Sequence, residues 1–251
     1  MQNCKQKIHL DFVITGTGRC GTVYAAKLLT SLGRPCTHES IFTPNGISHA
    51  KNVLQSGLIE NSKCSLNKDS EWYPEGVLPV GESSYMAASF LDSPLLRGAK
   101  VVHLIRDPAK VMFSWLRFGY FQNDSNKRLK FWEDNLSILM PEIWHHKEPI
   151  ERACYYYLAW NNLIELKANK DLYHKQRIED GNGFLEFLNV EEKENAFSNK
   201  SENTNNINEK DKDKRSYRDI PESPLKEEIV KFAIDHGYDV DEGSSKRIKI
   251  F

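Results

Sequence analysis

Two short segments hold residue types that could bind anions. The first is Gly16-Thr17-Gly18-Arg19-Cys20-Gly21-Thr22. Its glycines satisfy two templates at once. Gly16, Gly18 and Gly21 give G-x-G-x-x-G, the dinucleotide fingerprint, and Gly16 and Gly21 give a P-loop spacing without the P-loop lysine. Both templates work by curling the backbone so that a helix N-terminus points its N–H groups at an anion. Glu39 stands 18 residues after Gly21, near where a ribose-binding acid falls in the dinucleotide template. Arg19 favours a different ligand. A guanidinium inside the loop suits a terminal phosphosulfate whose bridging oxygen gains charge during transfer.

The second segment is Arg106-Asp107-Pro108, with Ser114 eight residues after the arginine. Asp107 suits a helix N-cap and Pro108 the first helical position. Lys110 and Ser114 are i, i+4 and share one helix face. Arg106, Lys110 and Ser114 would then gather near a helix start as a second phosphate site. Two anion sites at two strand–helix junctions imply a nucleoside with phosphates at both ends.

The elements that must position these residues follow from local pattern. Ile8 to Thr15 is a short apolar run fit for a buried strand, and Thr22 to Leu32 reads as a helix stopped by Gly33. A short strand is expected to end near Thr37 to Ser40, a third over Val77 to Ser84, and a clear one over Lys100 to Ile105. A helix follows Asp107, a long apolar helix covers 150–168, and a last strand covers Lys175 to Asp180. A helix near Pro224 to His236 closes the chain. Residues 45–75 have no assignable period. Residues 191–216 are crowded with Asn, Lys, Glu and Asp, and are expected to form a disordered insertion in one domain spanning 1–251.

With these elements in place, the chain resembles the sulfotransferase family of the P-loop superfamily. Its Thr15–Thr22 loop is similar to that family's 5′-phosphosulfate loop. Arg106, Asp107, Pro108 and Ser114 are similar to the family's 3′-phosphate motif. Tyr157, Trp160 and Asn161, the stretch Arg177 to Asp180, and the segment Pro224 to Tyr238 also resemble bacterial-type members. The resemblance implies a three-layer P-loop-type α/β fold, with a central, mainly parallel sheet flanked by helices. It implies 3′-phosphoadenosine 5′-phosphosulfate as donor cosubstrate, held by Gly18, Arg19, Cys20, Gly21, Thr22 and Val23 at one end and by Arg106 and Ser114 at the other. The chain departs from the family in two places. Many members have lysine where this loop has Arg19, and the lysine- and glycine-rich C-terminal motif of the steroid and phenol enzymes is missing. This tilts the acceptor toward a carbohydrate, a peptide or a small metabolite.

Transfer needs a base for the acceptor hydroxyl. Glu39 is the first candidate, His38 its neighbour, and Glu82 a third on a nearby strand exit. Since consecutive strand residues face opposite sides, only one of His38 and Glu39 is expected to face the site. The other readings are a nicotinamide-dependent oxidoreductase, a P-loop kinase, which lacks the loop lysine, and a nucleotide-binding protein without turnover.

Composition bounds the partners. The chain has 251 residues with a formal net charge of −1, so no basic excess points to nucleic acid or anionic membrane. No apolar run suits a signal segment or a membrane span. Five cysteines, none spaced as CxxC, argue against a metal site or a disulfide framework and fit the cytoplasm. Oligomeric state and acceptor identity have no key in the sequence.

Overall fold

The computed structural model describes residues 5–43, 46–60, 73–74, 76–122, 127–191 and 215–240. The expected insertion at 191–216 lies almost wholly outside them. The chain divides into two compact units, Met1–Ile105 with Trp160–Thr204, and Arg106–Ala159 with Asn205–Phe251.

The first unit is built on five parallel strands in the order β3-β5-β2-β6-β7: β2 Phe12–Thr15, β3 Cys36–His38, β5 Gly81–Ser83, β6 Lys100–Ile105 and β7 Tyr173–Arg177. β2 and β6 are central and almost wholly buried, which is why they read as unbroken apolar runs. Phe12 and Ile14 with Val102 and Leu104 face one side. There they pack on Ala25, Ala26, Leu28 and Leu29 of α1 (Thr22–Ser31) and on Phe184 and Leu185 of the short α6 (Phe184–Phe187). On the other side lies the second half of α5 (Pro149–Lys167), whose Asn161 Oδ1 is 2.7 Å from His103 Nε2 of β6. His103 Nδ1 lies 2.8 Å from the Tyr173 hydroxyl, so a fully buried histidine has both ring nitrogens matched. The fold is therefore α/β, with a wholly parallel central sheet flanked by helices.

The unassigned stretch after 45 contains α2 (Gly46–Ser56) and β4 (Leu58–Glu60), and β4 pairs antiparallel with β1 (Lys5–Lys7). Three strands are shorter than or displaced from the expectation. β2 begins at Phe12 rather than Ile8, since the Ile8 N–H donates instead to the Gly57 carbonyl at 2.8 Å. β5 begins at Gly81; Val80 before it still donates to the Pro35 carbonyl at 2.9 Å and accepts from the Asp11 N–H at 2.8 Å, and Pro79 has no N–H to carry the ladder further back. β7 starts at Tyr173 and ends at Arg177, where the backbone turns into a 3₁₀ segment, Ile178–Asp180.

The chain moves from β2 to β3 and β5 on one side, then returns to β6 on the other. The strand order therefore reverses between β2 and β6. Their carboxyl ends form the topological switch point, where open α/β sheets bind ligands.

The second unit is helical: α3 Pro108–Arg117, α4 Lys127–Leu139, the first part of α5, a 3₁₀ turn at Tyr217–Asp219 and α7 Pro224–Asp235. Its core is aromatic. Trp115 meets Tyr156 edge-on at 5.0 Å, and Trp132 meets Phe121 at 4.9 Å and Tyr156 at 5.6 Å.

Candidate functional site

The loop leaving β2 is forced into shape by its backbone. Gly18, Arg19 and Gly21 all take positive φ, at 78°, 60° and 95°. For Arg19 that conformation is costly, and such strain gathers at functional sites. A Cβ on Gly16 would fall 2.5 Å from the Leu104 carbonyl oxygen, so only glycine lets the loop pass β6 this closely. Gly21 caps α1 without a side chain, which leaves the first-turn N–H groups unclaimed by a cap. Just upstream, the Thr15 hydroxyl is buried and makes no hydrogen bond among the described residues. Cys20 is fully buried and belongs to the core under α1, while Gly18, Arg19 and Val23 are half-buried.

Thr22, the first residue of α1, is held from two directions. Its hydroxyl lies 3.2 Å from His38 Nε2, and its carbonyl accepts the Ser83 hydroxyl at 2.9 Å. The exits of β3 and β5 thus brace the helix start that follows β2.

The three base candidates have different surroundings. Glu82 is fully buried in the middle of β5. Its carboxyl group accepts the Thr37 hydroxyl and the Ile41 N–H, the latter at 3.0 Å. Thr37 and Ile41 flank the β3 exit, so Glu82 fastens that turn from below. Glu39 sits inside the turn, half-buried, with φ 51° and its N–H donated to the Ser83 carbonyl at 3.0 Å. β3 has ended at His38, so the strand alternation expected for His38 and Glu39 does not apply to Glu39. His38 spends its ring on Thr22.

In the second unit, Arg106 and Asp107 precede α3. Asp107 Oδ1 accepts the N–H groups of Ala109 at 3.0 Å and Lys110 at 3.4 Å, the N-cap that the sequence implies. Lys110 is exposed and its ammonium lies 3.7 Å from Asp107 Oδ2. Ser114 is half-buried one turn on. Two tyrosines complete this segment. Tyr157 donates its hydroxyl to the Arg106 carbonyl at 2.6 Å, and Tyr217 donates to Asp107 Oδ1 at 2.9 Å. Burial, then the charge of Asp107, pushes the Tyr217 hydroxyl above its ordinary range, so it stays a donor. Sequence reasoning missed Tyr217, which no local pattern marks.

Among the described residues, no group of three or more His, Cys, Asp or Glu could hold a metal ion. No described helix is long and apolar enough to cross a membrane.

No protein-family model matches the chain, and no curated protein matches it significantly. Among solved structures, it is similar to a sulfotransferase domain from the curacin biosynthetic pathway, at 15% identity over 94% of this chain and 100% of that one, with a TM-score of 0.49. It is also similar to a sulfotransferase domain from the Synechococcus PCC 7002 olefin synthase, at 17% identity over 95% and 98%, with a TM-score of 0.48. A sulfotransferase from Alicyclobacillus acidocaldarius is 16% identical over 91% and 92%, with a TM-score of 0.39. Likeness this distant carries no weight for chemistry, which rests on the chain's own residues.

Proposed function

We propose that the protein is a sulfotransferase that moves a sulfuryl group from 3′-phosphoadenosine 5′-phosphosulfate to an acceptor hydroxyl or amine. The observation that carries this reading is the strained, arginine-bearing glycine loop at the β2 carboxyl end, where the strand order reverses. Gly18, Arg19, Cys20, Gly21, Thr22 and Val23 would take the 5′-phosphosulfate, largely through backbone N–H groups. Arg106, with Ser114, would take the 3′-phosphate.

In the reaction the acceptor oxygen attacks sulfur in line, and the bond from sulfur to the bridging oxygen breaks. Adenosine 3′,5′-bisphosphate leaves with the bridging electron pair. Catalysis of this kind is mostly positioning and charge stabilisation. Arg19 stabilises the charge growing on the bridging oxygen. Glu39 takes the acceptor proton, and His38 holds Thr22. A carbohydrate, peptide or small metabolite would be the acceptor, in the cytoplasm, with no metal required.

The test has two arms. Adenosine 3′,5′-bisphosphate should raise the melting temperature more than adenosine 5′-phosphate, NAD or ATP. Equal shifts from the two adenosine phosphates, or a larger one from NAD, would remove this reading. The NAD outcome would favour the dinucleotide template, in which Glu39 binds ribose. Glu39→Gln should lower turnover by about 10²–10⁴-fold with donor affinity unchanged.

A further inference from the structure

The Arg106–Asp107 dipeptide is gripped by phenol hydroxyls from two elements distant in sequence. Tyr157, on α5, is fully buried and reaches the backbone carbonyl of Arg106. Tyr217, 4% exposed, reaches the side chain of Asp107. Asp107 Oδ1 thereby gathers three donors: the Ala109 and Lys110 N–H groups and the Tyr217 hydroxyl.

The turn that carries Tyr217 is itself fixed. Ser216 and Asp219 form a capping box, with the Ser216 N–H donating to Asp219 Oδ2 at 2.7 Å. Two residues before Tyr217, the Arg215 guanidinium lies over the ring of Phe113, 4.5 Å from its centroid, and Phe113 precedes Ser114 on α3. The turn therefore touches α3 at its cap and again beside Ser114. Tyr157 is backed by α7, where Phe232 meets it edge-on at 5.3 Å. A buried tyrosine hydroxyl needs a partner. Here both partners are atoms of the two residues that set where Arg106 stands.

We infer that Tyr217 and Tyr157 are positioning residues that hold Arg106 for the donor's 3′-phosphate, with residues 215–220 acting as a strap across the start of α3. This rests on the sulfotransferase reading. It adds that the C-terminal part of the chain sets 3′-phosphate selectivity without contacting the nucleotide through either hydroxyl.

The experiment is calorimetric titration of wild type and Tyr217→Phe with adenosine 3′,5′-bisphosphate and with adenosine 5′-phosphate. The loss of one positioning hydrogen bond should weaken bisphosphate binding by about 3–10-fold and leave monophosphate binding unchanged. In turnover assays KM for the donor should rise by a similar factor, with kcat nearly constant. Tyr157→Phe, which tests the other grip, should shift the same ratio and serves if Tyr217→Phe does not fold. A wild type that prefers the bisphosphate, beside a folded variant that keeps the full preference, overturns the strap while leaving the sulfotransferase reading intact. A wild type with no preference overturns both. A variant that loses stability but keeps wild-type selectivity makes the tyrosines structural only.

Discussion

Glu82→Ala separates the brace from the base. The substitution removes a carboxyl group from a fully buried position and leaves at least two donors behind it, the Thr37 hydroxyl and the Ile41 N–H. A buried donor without a partner costs about 1–3 kcal/mol. Two of them, with the lost packing of a methylene at about 0.8 kcal/mol, give a destabilisation of about 3–7 kcal/mol. For a chain of this size that lowers Tm by roughly 6–28 °C. Glu82→Gln is milder. Its amide oxygen still accepts the Ile41 N–H, and the Thr37 hydroxyl can rotate to accept from the amide nitrogen, so about 1 kcal/mol is expected. Urea denaturation gives the stabilities, and sulfuryl transfer from labelled donor gives the rates. Glu82→Gln should keep turnover within about tenfold of wild type, well short of the 10²–10⁴-fold loss expected for the base. An Ala variant as stable as wild type would refute the brace. A stable Gln variant with intact donor affinity and collapsed turnover would make Glu82 the base in place of Glu39.

Three further outcomes are expected. Gly21→Ala places a side chain where φ is 95° and a Cβ would lie 2.7 Å from Ile178 Cγ1. The backbone part costs about 1–2 kcal/mol and should persist when Ile178→Ala clears the space, as thermal melts of both variants would report. Arg106→Ala should weaken bisphosphate binding by about 2–4 kcal/mol and Ser114→Ala by about 1 kcal/mol, by titration; an unchanged affinity in the folded arginine variant refutes the 3′-phosphate assignment. Burial, with the charge of Glu151 adding to it, pushes the Cys154 thiol up to about 12. The neutral thiol's contribution to stability is then full below about pH 8.5, where the unfolded thiol ionises, and is lost as pH rises toward the folded value. Iodoacetamide at pH 8 should label Cys154 in urea and spare it in the native state, as peptide mapping would show.

What could be read in advance follows from where each element sits. β6 buries nearly every residue, so KVVHLI announces itself. β7 is half-buried along most of its length, and YHKQR shows no clean alternation from which to set its ends. α2 was missed although Ile47, Ala50, Val53 and Leu54 do fall on one face; polar residues between them mask the period over only 11 residues. The Asp107 cap was legible because capping is local chemistry. The Tyr217–Asp107 bond spans 110 residues, and no local rule reports such a contact. Glu82 shows the same limit. A carboxyl group written between Gly81 and Ser83 reads as a strand exit, and only the placement of Thr37 on the neighbouring strand and of Ile41 in the turn after it gives the carboxyl group its buried partners.

The outer strands of the sheet have a bearing on solubility. Among the described residues β3 and β7 have no neighbour on their outer sides, and a parallel sheet that ends in open strands offers unpaired backbone groups to another chain. β3 is only three residues long, too short a template to hold a foreign strand. β7 is longer, but its five residues include His174, Lys175 and Arg177. Lys175 is paired with Glu165 at 2.7 Å and Arg177 lies 3.6 Å from Asp180, so a second β7 would have to disturb these ion pairs or set each cation against its own copy before it could add to the first. Charge on the rim thus does for the long edge what brevity does for the short one, and both keep the sheet from growing between molecules.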